Sequence, residues 1–499
     1  MAKLLLVFAL FLKIIYGQDV DYSDNHAQVL ILGAGSAGIQ AAATLNENGM
    51  DDFIIIEGAD YIGGRVKNAN FNGQTINVGS QWASPGGGSE IVQKMIRDWG
   101  IEGHEIDVVS TVYRNCSGQL VPEEETNPIW GRLDAALAKA TEIANYILDN
   151  DLPDISQRTA LLEGGWYPKT ALEKAIEWLS FDFATSERTS VTALLSTIFV
   201  NYVEDIHYIT DERGYAEIFR FIAPFLYDDA MFADHVRLNQ VVTTIDYSNP
   251  DMVVVTTSDG TEYTGDRVLV TFSLGVFQNE VVQYIPELPD WKKHVLFKTS
   301  VTYYNPIFIN FAEPFWDDAE LIMNVHEQYN YYPDFFNFDV FQSQQSRWPD
   351  NHVLTIHILG DDALRVDQQS DEETKAEVEA VLQKMYGLEE PPNATDFLIQ
   401  SWSKDPLHLA GYCNWPVELD RKEFPKLQHR VGNVFFAGEA TDADSLGFVQ
   451  GAMNSGEREA LKILECIAGN ECPEYVAEGE RMRSNKRRKN CNVGDCSRP

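Results

Sequence analysis

Residues 28–38 read Gln28-Val29-Leu30-Ile31-Leu32-Gly33-Ala34-Gly35-Ser36-Ala37-Gly38, an apolar strand running straight into Gly-x-Gly-x-x-Gly. In such a turn the first glycine permits the tight bend, the second lets a pyrophosphate approach the backbone, and the third lets helix and strand pack closely. The helix predicted over 39–48, with Ala41-Ala42-Ala43 on its packing side, offers free N–H groups and a positive dipole end to phosphates. A second apolar strand, Ile54-Ile55-Ile56, ends in Glu57, about 20 residues past the last glycine, where an acid accepts ribose hydroxyls. Strand, turn, helix, strand and acid in that order specify a dinucleotide site.

Gly63-Gly64-Arg65 follows Glu57. An arginine there can fork onto a pyrophosphate, and the glycines keep the loop close to the ligand. Beyond the first unit come Val78-Gly79-Ser80-Gln81-Trp82 and a helix predicted over 89–99. Apolar spacing predicts a mostly helical region from about 120 to 230, in segments 127–148, 172–179 and 216–226. Strand patterns then take over: 241–245, 252–256 and 267–271, followed by an aromatic, strand-like region from 300 to 360 that includes 329–341. A helix is predicted over 371–386, and a last strand, 433–437, ends in Gly438-Glu439 before a helix beginning near Phe448-Val449. That second strand end and helix start form another place for backbone N–H groups to face a ligand.

The 499-residue chain carries 76 acidic against 38 basic residues, a formal charge of −38, which argues against nucleic-acid binding and favours cationic ligands. Residues 1–17 have the positive start, apolar core and small residue of a secretory signal, and no other stretch is long enough to span a membrane. Export is therefore expected, to the extracellular space or another secretory destination such as the vacuole. The sequons at Asn115 and Asn393 suit a glycoprotein, and an oxidising compartment would allow either a Cys466–Cys472 bridge or one that ties down the tail, the connectivity staying open. The basic stretch 481–489 reads as part of a disordered tail. No Cys/His cluster has metal-ligand spacing. His207 and His235 are read as packing residues, and Ser273 as no nucleophile, since it has no histidine nearby in sequence.

Together these motifs resemble the flavin-containing amine oxidases, most closely the plant-type secreted polyamine oxidases, over nearly all of residues 27–468. The marks are the glycine fingerprint, Glu57, Gly63-Gly64-Arg65, Gly79-Ser80-Gln81-Trp82, Ser273-Leu274-Gly275-Val276-Phe277, the Gln369-Ser370-Asp371 helix start, Asn414-Trp415-Pro416-Val417 and Phe436-Ala437-Gly438-Glu439-Ala440-Thr441. The resemblance implies an α/β fold, with a discontinuous Rossmann-like FAD-binding domain and an α+β substrate-binding domain of mixed sheet and helices. The expected division is 27–100, 232–300 and 400–468 for FAD, 101–231 and 301–399 for substrate, and 469–499 as tail.

The resemblance implies FAD held by Gly33, Gly35, Ser36, Gly38, Glu57, Gly64, Arg65, Gln81, Trp82, Val242, Gly438, Glu439, Phe448 and Val449. Glu57 would take the adenosine ribose, Arg65 the pyrophosphate, Val242 the adenine side, Glu439 the ribityl–phosphate region and Phe448-Val449 the flavin. It also implies hydride transfer from an amine carbon to flavin N5, then to dioxygen, giving hydrogen peroxide, with a small cationic amine such as spermine or spermidine as substrate. A monomer is expected. The family's covalent-flavin cysteine has no counterpart, because Cys413 comes too late after Trp402-Ser403, so dissociable FAD is expected.

The chain departs from the family at three positions. Ungapped counting puts Pro306 where the family has its flavin-facing lysine, so no catalytic residue is assigned. Ser84 stands where an acid would anchor substrate, and Phe448 where relatives carry tyrosine. Lys298, on a strand predicted over 298–305, would lie eight residues, or about 26 Å, from position 306 and is a poor substitute. Two other readings stay open. One is a flavin oxidase for an amino acid or another amine, with Arg213, Arg220 or Arg365 holding a carboxylate; the other is a catalytically weak FAD-binding protein.

Overall fold

The computed structural model describes residues 25–83, 90–106, 110–199, 207–343, 351–470 and 472–475. Position 84, the signal segment 1–17 and most of the tail lie outside them.

Strand β1 (His26–Leu32) leads into helix α1 (Ser36–Glu47) and then strand β2 (Phe53–Ile56). The sheet is completed by three more parallel strands, β3 (Val236–Arg237), β4 (Glu262–Val270) and β5 (Val434–Phe436). In space the order is β3-β2-β1-β4-β5, every pair parallel, with Leu32 opposite both Ile56 and Val270, and Val270 opposite Phe436. Their apolar runs are buried on both faces, as a covered parallel sheet requires. An antiparallel extension, Val242–Asp246 and Val253–Thr257, joins through the first half of β4.

A second, six-stranded sheet contains Tyr304–Phe311, His352–Leu359, Asp334–Asn337 and Leu321–Val325. The long helix Glu123–Asp149 packs with this sheet, Leu133 and Ala136 sharing one core with Phe308, Met323 and Phe336. Packing cuts across the divisions expected at residues 100 and 231. Ile209, Ile218, Phe219 and Leu226 pack with Val29 and Ile31, whereas Phe71, Ile76 and Val78 pack with Phe308 and Phe336.

Several local expectations shift for physical reasons. The helix expected over 216–226 breaks into short turns around Ile218–Ile222, because Pro224 cannot donate the next hydrogen bond. The strand-like run 329–341 is interrupted by left-handed Asn330 and Tyr332, so only Asp334–Asn337 pairs. Asn337 then accepts from the Asp339 N–H and starts a helix, Phe338–Ser343. Lys298 ends a helix, Asp290–Lys298, rather than opening a strand, and is paired with Glu423. The helix Asp371–Tyr386 has a full capping box from Ser370 and Glu373.

The final helix α2 (Val449–Ile467) packs directly on α1, and the Cys466–Cys472 disulfide ties its end to the segment that follows. The two helices meet at Gly456, where an added Cβ would lie 2.1 Å from the Ala37 carbonyl oxygen. Gly456→Val is therefore expected to push α1 off its position and cost about 1–3 kcal/mol of stability. Thermal unfolding checks this, and an unchanged midpoint contradicts it.

Candidate functional site

All five parallel strands end at one edge of their sheet, and the segments leaving them line a single cavity of about 1210 Å³. From β1 come Gly33, Gly35 and Ser36; from β2, Glu57; from β4, Thr271 and Ser273; from β5, Gly438 and Glu439. Gly64, Arg65, Gln81, Trp82, Val242, Phe448 and Val449 complete that side of the wall. Gly38 stays outside it and serves the packing expected of it. A Cβ there would sit 1.9 Å from the Gly33 carbonyl oxygen.

This wall suits a dinucleotide on several grounds. Gly33 has φ of +107°, and a Cβ there would meet Thr271 Oγ1 at 2.6 Å, whereas a Cβ on Gly35 would meet only Gly64 Cα, at 3.9 Å. The second glycine thus leaves open space beside the backbone. Both α1 and α2 begin at the cavity with no side-chain cap and no acid in the first turn, so their positive ends are available to anions. Glu57 is buried, accepting from the Ala34 N–H at 2.6 Å and the Ala59 N–H at 2.8 Å. Arg65 Nη1 donates to Glu439 Oε1 at 2.9 Å and to the Gly411 carbonyl at 2.8 Å, joining segments 374 residues apart. Glu439 Oε2 is buried without a hydrogen-bond partner among the described residues, an acceptor awaiting a donor such as a hydroxyl.

The cavity continues beyond Phe448 into a chamber walled by Trp82, Tyr113, Trp130, Phe183, Tyr304 and Tyr412. Glu123 and Asp134, exposed on one helix, stand at its outer end. Tyr304 and Tyr412 lie with ring centroids 6.4 Å apart and planes tilted by 54°, and Tyr412 donates to Ser186 Oγ at 2.6 Å. Pro306 is buried in the strand beside Tyr304 and does not line the cavity; Tyr304, two residues earlier, does. Ser273 caps a short helix and donates to the backbone carbonyl of His408, so its hydroxyl is committed to structure. His235 is buried against Phe53, whose carbonyl its Nδ1 meets at 3.0 Å. Burial and Glu439 push the Cys413 thiol far up, leaving it a neutral part of the wall.

Sequence reasoning passed over Tyr304, Tyr412, Trp130, Glu123 and Asp134. For the helix a signal was present: Glu123, Asn127, Trp130 and Asp134 repeat at three- and four-residue spacing, which places them on one face. It also passed over Glu187, which accepts from Ser300 Oγ and from Asn414 Nδ2 (2.9 Å) just behind the wall.

Burial pushes the Glu187 carboxyl up to about 7. The raised acid favours folding fully below its unfolded pKa near 4.5, and this contribution is lost as pH rises toward 7. Glu187→Gln is expected to raise stability at pH 8 by about 1–3 kcal/mol while changing little at pH 5. Thermal unfolding at both pH values checks this, and an equal effect at both contradicts it.

A family model described as flavin containing amine oxidoreductase matches residues 36–464. Polyamine oxidase 1 of Zea mays is 30% identical, the match covering 90% of this chain and 92% of that protein. Polyamine oxidase 6 of Oryza sativa subsp. japonica is 29% identical over 89% of this chain and 92% of its own length. Among solved structures, putrescine oxidase bound to putrescine superposes with a TM-score of 0.69 at 20% identity, covering 88% of this chain and 99% of that one. That likeness fixes the fold.

Proposed function

Since the chain belongs to the flavin-containing amine oxidoreductases, we propose that it is an FAD-dependent oxidase of polyamines, with dioxygen as acceptor and hydrogen peroxide as product. When bound, FAD supplies the two-electron acceptor that the protein's own side chains lack. The chain's residues bind, orient and exclude water. Glu57 would hold the ribose, the two helix starts and Arg65 the phosphates, and Glu439 a hydroxyl of the cofactor.

The observation that carries the substrate reading is the charge of the wall. Arg65 is the only Lys or Arg among its described residues, and Glu439 already engages it, whereas Glu57, Glu123, Asp134 and Glu439 all line the cavity. A carboxylate-bearing substrate finds no free guanidinium there. Arg213 is paired with Asp211, Arg220 with Glu217, and Arg365 with Asp362 and Glu377, all away from the wall. A cationic chain finds aromatic faces for cation–π contact and two carboxylates eleven residues apart on one helix, about 16 Å along its axis. That spacing suits ammonium groups distributed along a polyamine. The predicted signal at 1–17 supports export as part of this reading.

An anaerobic flavin-bleaching screen tests the substrate class. Spermine, spermidine or their acetylated forms are expected to bleach the flavin, with common amino acids inert; bleaching by an amino acid alone contradicts the proposal. Glu57→Ala is expected to weaken FAD binding by about 10- to 100-fold, the loss of charge-assisted hydrogen bonds. Titration of the apoprotein with FAD measures this, and unchanged affinity removes Glu57 from the ribose.

A further inference from the structure

Two side chains of the wall, Gln81 and Tyr304, continue into a buried polar chain with His357 and Asp334 whose hydrogen bonding nothing above employs. Gln81 is fully buried; its Nε2 donates to the Asn77 carbonyl at 3.0 Å, which turns its Oε1 toward Tyr304 and His357. Tyr304 donates its hydroxyl proton to that Oε1 at 3.0 Å, and His357 Nε2 faces the same atom at 3.1 Å. An amide oxygen only accepts, so Nε2 carries a proton. On the other side of the ring, Nδ1 meets Asp334 Oδ2 at 2.5 Å, while Asp334 Oδ1 accepts the His357 backbone N–H at 3.0 Å.

The Nδ1···Oδ2 contact needs a proton as well, from either partner. Imidazolium with carboxylate and neutral imidazole with carboxylic acid hold the same number of protons, and both leave the pair neutral overall. Neutrality is what complete burial demands, and both side chains are 0% exposed. Trp82, Phe183, Phe336 and Tyr304 enclose the imidazole with ring centroids 5.1–5.9 Å away. His357 also stands directly across the sheet from Pro306, so its side chain shares that face.

We propose that His357 and Asp334 form a proton-holding pair that acts through Gln81 to fix the Tyr304 hydroxyl as a hydrogen-bond acceptor for the substrate's amine N–H. Burial keeps the Tyr304 hydroxyl protonated, against a weaker opposing contact from Trp82. Its one proton is committed to Gln81, so what it presents to the chamber it lines is lone-pair density. A primary or secondary amine has the N–H such an oxygen takes; an ether, thioether or tertiary amine does not. His357 and Asp334 are positioning residues here, and the proposal rests on the amine-oxidase reading for its substrate.

The test has two arms. In NMR of the holoenzyme labelled with 15N-histidine and free of substrate, His357 is expected to carry a proton on Nε2. A form protonated only at Nδ1 overturns the proposal. In the second arm, Tyr304→Phe, His357→Leu and the double variant are compared by kcat/KM on the best amine, with flavin content and unfolding midpoint recorded. Each single change is expected to cost about tenfold, and the double change no more than either alone. Losses that multiply toward about 100-fold assign His357 an independent structural part and overturn the proposal.

Asp334→Asn is the rescue, and it stands in should His357→Leu not fold. The amide can donate to Nδ1 and accept the backbone N–H, as the carboxylic-acid form of Asp334 does, so Nε2 keeps its proton toward Gln81. It is expected to stay within about threefold of the parent; a loss as large as that of Tyr304→Phe overturns the proposal. Should the parent oxidise no amine, the function reading fails and takes the Tyr304 role with it, while the first arm still decides whether the pair holds its proton.

Discussion

Backbone hydrogen bonding sets the constraint from which the molecule's function follows. Within a parallel sheet every strand satisfies its neighbours, and the amides just past the strand ends are bonded too, Gly33 to Ile56, Thr271 to Leu32 and Ala437 to Val270, but the first N–H groups of a helix have no partner within the helix. Here β1, β2, β4 and β5 stop at one edge, and two helices begin there with uncapped first turns. Such an edge must be met by water or by an anionic ligand. Glycines with left-handed torsions at Gly33 and Gly438 let the chain turn away closely enough to leave a groove rather than fill it. The ion pair between Arg65 and Glu439 then ties the segment that follows β2 to the one that follows β5.

A second layer of logic is electrostatic. The overall −38 is mostly a solvated surface, but the same sign appears where it matters, on the cavity wall. Aromatic rings fill the wall between the carboxylates, so an entering ammonium exchanges water for ring faces and acid oxygens rather than for bare hydrocarbon. Behind the rings, buried polar groups are paired so as to cancel charge, as with His357 and Asp334. A neutral interior under a negative lining gives a substrate charge something to meet at the surface of the cavity and little to disturb beneath it.

The nucleotide half of this arrangement was legible in the sequence because it is local. A turn, a helix start and an acid about 20 residues on are fixed by short-range backbone geometry, and the residues they predict, from Gly33 to Glu439, meet around one groove. The helix Asp371–Tyr386 was equally plain, since its capping box lies in four consecutive residues. The substrate half was not. Tyr304, Gln81 and His357 come together only when strands at 304–311 and 352–359 pair and the loop after residue 77 folds over them, and no local pattern encodes that meeting. Pro306 replaces a lysine in the resemblance, yet it is buried in the strand, and Tyr304, two residues earlier on the same face, is the residue that reaches the cavity. Lys298 was misplaced because a Lys-Thr-Ser-Val run has no strong period of its own, and packing of Val295 and Leu296 extended the preceding helix.

The account stands on a dissociable flavin dinucleotide lying in the groove at the strand ends. Purified protein, denatured with acid and centrifuged, measures this directly through the absorbance of the supernatant. Near-stoichiometric FAD released from a yellow, folded preparation is the predicted result. A folded protein that is colourless and takes up no added FAD, or one whose flavin stays with the precipitate, contradicts it.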